Sequence, residues 1–170
     1  NAQSYASEEF ALPEAILKQV AKDTEHRNIY IIDRGVQSTR TMKEFSEKKV
    51  KFVIRAKENR KHEEIKSLIE TNQDLDIGDN LLIKDNIVKL YTGIPVNNKQ
   101  GNIHHRQEKV ENHFRLVVVQ NKKQPEKVFY FLTNDFQLTA KEVADYYRRR
   151  WDIEVFFRFI KQELNVSHLV

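Results

Sequence analysis

The stretch Asn28-Ile29-Tyr30-Ile31-Ile32-Asp33-Arg34-Gly35 decides the fold class. Its central residues form a continuous apolar run with no polar face. A run this short suits a strand covered on both sides of a parallel or mixed sheet. Gly35 ends it. Ser38 or Thr39 can cap a helix predicted to reach about Lys48, with Met42 and Phe45 turned inward. Lys51 to Ala56 reads as a second buried strand. Strand, helix, strand is the order of an α/β layer. Asp33 then falls at the carboxyl end of its strand, the edge where open α/β sheets place ligands and catalytic groups. Aspartate near glycine is also common turn chemistry, so Asp33 alone does not decide a function.

Upstream, residues 1–10 read as an irregular lead-in. Leu12-Pro13-Glu14 opens a helix running to about Glu25, with Ile16, Leu17, Val20 and Ala21 as its apolar side. Downstream, from Lys57 to about Lys127, the character changes. Ile65, Leu68 and Ile69 suggest a short helix over 61–70. Strand-like pieces follow at 80–84, 87–91 and 113–120, with Asp85-Asn86 as a tight turn between the first two. Asn97 to Asn112 is polar and reads as a mobile loop. Val128 to Leu132 returns as a strand. Thr139-Ala140-Lys141-Glu142 is a capping box that starts a final helix reaching about Leu164.

Composition narrows the classes. Hydrophobic residues make up 39% of the 170, enough for a core. Lys and Arg number 29 against 25 Asp and Glu, a modest excess of four. The segment 97–127 alone holds seven Lys/Arg against three Glu, the same surplus as the whole chain. Such clustering suits a polyanion, or an ordinary solvated surface. The chain has no cysteine, which excludes disulfides and thiolate chemistry. A membrane helix needs about 20 apolar residues, and no run here approaches that. His104, His105 and His113 lack the spacing of zinc ligands.

The final helix carries the sharpest pattern. With Tyr147 at 0° and about 100° per residue, Arg150 lies near 300°, Lys161 near 320°, Glu154 near 340° and Arg158 near 20°. One carboxylate sits among three cations and a phenol on one stripe. Tyr146, Ile153, Phe156, Phe157, Phe159, Ile160 and Leu164 cover most of the remaining circumference. The plain reading is a solvated face with i,i+4 pairs Arg150–Glu154 and Glu154–Arg158. The sharper one is a metal-binding carboxylate flanked by phosphate-binding cations.

These residues carry a resemblance. Phe131-Leu132-Thr133-Asn134, then Tyr146-Tyr147-Arg148-Arg149-Arg150-Trp151-Asp152-Ile153-Glu154 and Phe157 to Lys161, resemble the bacterial insertion-sequence transposases of the DDE type. The subgroup is the one defined by a Tyr-Arg-Glu-Lys signature. Ile31-Ile32-Asp33-Arg34-Gly35 looks like that family's second catalytic aspartate with its Arg-Gly follower. The resemblance implies an α/β, RNase H-like core with its first strands missing and an inserted β-rich subdomain. It divides the chain into a first part of the core at 1–56, an insertion at 57–132 and the signature helix at 133–170. It implies that Asp33 and Glu154 are catalytic metal ligands for Mg²⁺ or Mn²⁺, two ions in the full-length enzyme. Tyr147, Arg150, Lys161 and Arg158 would contact DNA.

The implied partners are transposon-end and target DNA, bound by a homodimer in the bacterial cytoplasm at the nucleoid. The implied reaction is nicking at a transposon end followed by attack of the freed 3′-OH. A DDE site needs an earlier aspartate, and the chain offers no strand-borne Asp before Asp33. The expectation is a carboxy-proximal fragment, inactive alone; the start Asn1-Ala2-Gln3 without methionine suits an excised piece. Some subgroup members trap a flipped base on an aromatic residue. Trp151, Tyr91, His104, His105 and Phe114 are the residues weighed for that, without an assignment. Two other functions stay open: an RNase H-like nuclease that cuts without joining, and a basic DNA-binding module without chemistry.

Overall fold

The structure, a computed structural model, describes residues 2–22, 28–34 and 36–150. Helix α1 spans Ala2–Val20, strand β1 Ile29–Ile32, helix α2 Thr39–Glu47 and strand β2 Lys51–Arg55. Five more strands follow: β3 His62–Ser67, β4 Asn80–Asn97, β5 Ile103–Lys109, β6 Phe114–Asn121 and β7 Val128–Thr133. A last helix, α3, occupies 140–150 of the described residues.

Among the described residues the strands form one mixed, mostly antiparallel seven-stranded sheet ordered β1-β2-β7-β6-β4-β3, with β5 pairing β4. β1 and β2 are parallel, Ile29 opposite Lys51 and Ile32 opposite Ile54. Segment 57–132 supplies β3 to β7, and β7 returns to pair antiparallel with β2. A mixed α/β layer of this kind is compatible with an RNase H-like fold.

The continuous apolar runs now have their reason: alternate side chains enter two different cores. On one face, Ile32, Phe52, Ile54, Leu116, Val118 and Leu132 pack with Ile16 of α1 and Met42 and Phe45 of α2. On the other, Val53, Val117, Val119 and Phe131 pack with Ala140, Val143, Ala144 and Tyr147 of α3. Phe52 has no exposed surface and lies 5.9 Å from Phe45 and 6.3 Å from Phe114 by ring centroid. A side chain buried so completely contributes about 1.5–3 kcal/mol. Asn134, just past β7, accepts from Phe52 N–H at 3.0 Å and donates to Val50 O at 2.6 Å. It thereby completes the backbone pairing at the start of β2.

Four local expectations are corrected. Residues 2–10 are helical, and α1 runs through Pro13. A proline there costs one internal hydrogen bond but does not end the helix. Segment 61–70 contains strand β3 instead of a helix, because pairing with β4 overrides the i, i+3, i+4 spacing of Ile65, Leu68 and Ile69. Asp85-Asn86 is no turn: β4 runs straight through it, and both residues are buried. Most of the polar 97–112 stretch is strand β5, paired along β4. Phe114, weighed as a base trap, is in the core with 0% exposure. Among the described residues no helix is long and apolar enough to cross a membrane.

Candidate active site

Asp33 follows β1 at its carboxyl end, and parallel pairing sets the end of β2 beside it. The intervening loop is fixed by side chains. Gln37 Nε2 donates to Arg34 O and to Arg55 O, both at 3.0 Å, and so ties the loop after β1 to the last residue of β2. Arg60 donates through Nη1 to Gln37 O and through Nη2 to Thr39 Oγ1 at 2.6 Å. Thr39 Oγ1 in turn donates to Tyr91 O at 2.7 Å. Burial pulls the Arg60 guanidinium below its ordinary pKa. It stays charged, since arginine starts so high.

The helix that meets Asp33 is anchored at its start. Thr139 Oγ1 accepts from Glu142 N–H at 3.1 Å while Glu142 Oε1 accepts from Thr139 N–H at 3.0 Å, the expected reciprocal cap. Asp135 Oδ1 accepts from the N–H groups of Gln137 and Leu138 at 2.8 and 3.0 Å. Arg115 of β6 donates to Leu138 O from one side of its fork and holds Asp85 bidentately from the other, both bonds 2.7 Å. The pair is buried, 5% and 7% exposed by side chain.

From that anchor, Ala140, Val143, Ala144 and Tyr147 recur at helical spacing and face the sheet. The Tyr147 ring packs 5.2 Å from Phe131. Its hydroxyl donates to Asp33 Oδ1 at 3.1 Å. The Arg34 N–H donates to the same oxygen at 2.7 Å. Arg150 Nη1 lies 4.0 Å from Asp33 Oδ2, with the carboxylate half-exposed. The Arg55 guanidinium sits 4.9 Å over the Phe129 ring and 5.9 Å from that of Tyr147.

Burial pushes the Tyr147 phenol above its ordinary pKa; Arg55 opposes the shift and Asp33 adds to it. The phenol is therefore a neutral donor to Asp33 at physiological pH. A proton held more tightly in the folded state stabilises below the unfolded pKa, near 10, and that contribution is lost as pH climbs through the folded value. Tyr147→Phe is expected to cost about 0.5–1.5 kcal/mol near neutrality by removing one hydrogen bond. The gap between wild type and variant should close above about pH 10. Urea denaturation across that range checks it; a gap that widens at alkaline pH would contradict the assigned donor.

Of the residues expected from sequence, the structure brings Tyr147 and Arg150 to Asp33. Glu154, Arg158, Lys161 and Trp151 lie outside the described residues, as does Gly35. Arg55 was not anticipated. Its signal was available: it ends the apolar run Phe52-Val53-Ile54, and parallel strands place neighbouring carboxyl ends together. Beside the cluster, Arg55, Lys127, Phe129, Phe131, Tyr147 and Arg148 line part of a cleft of about 550 Å³. Among the described residues no group of three His, Asp or Glu is close enough to hold a metal ion.

Comparison with known proteins matches residues 4–169 to the family described as Transposase DDE domain. The chain belongs to this family of transposases. Within it, 38 residues are 53% identical to a protein of Geobacillus stearothermophilus described as "Probable transposase for insertion sequence element IS5377". That match covers 22% of the chain and spans 10% of the relative's length. Transposase DDE domains generally use divalent metal ions and act on transposon DNA. In this transposase domain, Asp33 is a half-exposed hard-oxygen donor at a sheet edge, which is the chemistry such ions select.

Proposed function

We propose that the full-length protein is a metal-dependent transposase of the Tyr-Arg-Glu-Lys subgroup, which nicks DNA at insertion-sequence ends and joins the freed 3′ end to target DNA. One observation carries the reading: the hydrogen bond between Tyr147 and Asp33. It joins two motif residues 114 positions apart, one from each part of the resemblance. A solvated charge stripe has no reason to place its phenol on that carboxylate.

In this reading Asp33 and Glu154 hold Mg²⁺ or Mn²⁺; Glu154 shares the stripe of Tyr147 by helical periodicity. Bound metal supplies activation of the attacking oxygen and charge stabilisation at the leaving one. The chain's own part is positioning. Arg34 N–H and Tyr147 orient the Asp33 carboxylate. Arg150, Arg158 and Lys161 grip phosphates, the arginines through forked donors and the lysine as a point charge. Segment 57–132 is the insertion separating the two carboxylates in sequence, carried on the sheet that bears Asp33. Paired protomers would act on nucleoid DNA in the cytoplasm. Activity is proposed of the full-length protein and not of these 170 residues alone.

The test is Glu154→Gln in the full-length protein, supplied with Mg²⁺ and either uncut or pre-cut transposon ends. End binding should persist while both cleavage and joining fall by on the order of 10²-fold or more. Undiminished joining would end the assignment of Glu154. Wild-type cleavage without any joining would favour a nuclease.

A further inference from the structure

β4 does not stop where the sheet does. Its pairing with β6 ends at Val88 opposite Phe114, and with β3 at Leu90 opposite His62. From Tyr91 to Asn97 it pairs with β5 alone, Tyr91 opposite Lys109 through to Asn97 opposite Ile103. The result is a two-stranded ribbon leaving the sheet edge. All seven residues of β5 are exposed. The tip is built, not loose. Asn98 Oδ1 accepts from Gln100 N–H at 3.0 Å and Asn102 N–H at 2.8 Å. Gly101 takes the left-handed φ of 81° that closes the turn.

A ribbon of this kind is marginal in water unless something covers it. Charge and side-chain chemistry select the cover. The ribbon 91–109 carries Lys99, Arg106 and Lys109 against a single acid, Glu108, which lies 3.7 Å from Arg106. Cross-strand partners share a face. One face of the ribbon therefore presents Asn97, His105 and Gln107, and the other His104 and Arg106 beside Ile94 and Val96. Gly93 leaves the space above it to His105 and Gln107. Amides, imidazoles and a guanidinium are the groups that read base edges. The paired region is about 24 Å long at 3.4 Å per residue. A two-stranded ribbon is one of the elements a B-DNA major groove, about 12 Å wide, admits. A-form RNA offers too narrow a major groove. The outer edge of β5, with Arg106, Glu108 and Lys109, is charged in the way that discourages pairing with another copy.

We propose that the ribbon 91–109 is a groove-reading arm that enters the major groove of duplex DNA, with His104 and Arg106, which share a face, at base edges and Lys99 at phosphate. This needs DNA as partner but not the chemistry proposed at Asp33, so the two can fail separately.

The chain's lack of cysteine makes the test direct. A cysteine placed by Gln100→Cys at the ribbon tip, or by Glu47→Cys as control, carries a tethered iron chelate that cuts nearby DNA. Glu47 is exposed at the far end of α2, whose first residue Thr39 bonds Tyr91 at the root of the ribbon. The full chain is mixed with random-sequence and insertion-end duplexes. Cutting from position 100 and not from 47 is expected. Arg106→Ala should weaken binding roughly tenfold on the preferred duplex and less on others. No cutting from position 100, equal cutting from both positions, or a uniform loss across sequences with Arg106→Ala would overturn the arm. So would concentration-dependent self-quenching of a fluorophore at position 100 without DNA, which would show a second copy seated there.

Discussion

Arg115→Ala is expected to destabilise the fold by about 3–5 kcal/mol, the cost of breaking a buried ion pair from one side. Asp85 would be left 5% exposed in the sheet without its bidentate partner. The variant also takes away the donor to Leu138 O, where the chain turns into α3. The loss should therefore be local as well as global. Amides at the start of α3 should exchange faster than those of β2, which is held by Phe52 and Asn134. The double variant Asp85→Leu, Arg115→Met should recover much of the stability, because two apolar groups leave no unpaired charge. Urea midpoints for the three variants check this. A single-variant loss below about 1 kcal/mol would mean that water reaches Asp85 and the pair behaves as a surface one.

Asp33→Asn in the full-length protein is expected to abolish strand cleavage, on the order of 10³-fold or more, while the fold stays intact. Asparagine keeps the shape and can still accept from Arg34 N–H and Tyr147. It loses the negative charge that a divalent ion requires and that faces Arg150. Because the carboxylate is half-exposed, its ion pair contributes little to stability, about 0–1 kcal/mol. Melting and cleavage should separate cleanly. A variant that melts with wild type and still cleaves would leave Asp33 as a turn residue, the plain alternative its sequence context allowed.

Much of the frame was legible because it rests on local rules. The apolar runs at 29–32 and 51–55, the cap at Thr139 and the position of Asp33 follow from patterning and end chemistry. What stayed hidden depends on partners distant in sequence. Asp85-Asn86 looks like a turn until Arg115, 30 residues on, neutralises the aspartate inside the sheet. Ile65, Leu68 and Ile69 keep helical spacing, but β4 offered the segment a ladder of hydrogen bonds. Polarity marked 97–112 as a loop, whereas pairing along β4 alone was enough to make a strand. At the site, the Tyr147–Asp33 bond joins two residues the sequence had singled out separately. Arg55 escaped although its place was readable, because that reading needed β2 set parallel beside β1 as well as its own position at the end of the apolar run.

β4 is 18 residues long and belongs to two neighbourhoods. Its inner half bears Asp85, clasped by the same guanidinium that holds the entrance of α3; its outer half forms one rail of the ribbon. Asp85 and Tyr91 are about 20 Å apart along the strand. Arg115 thus joins that strand to the doorway of the helix that carries Tyr147 and Arg150.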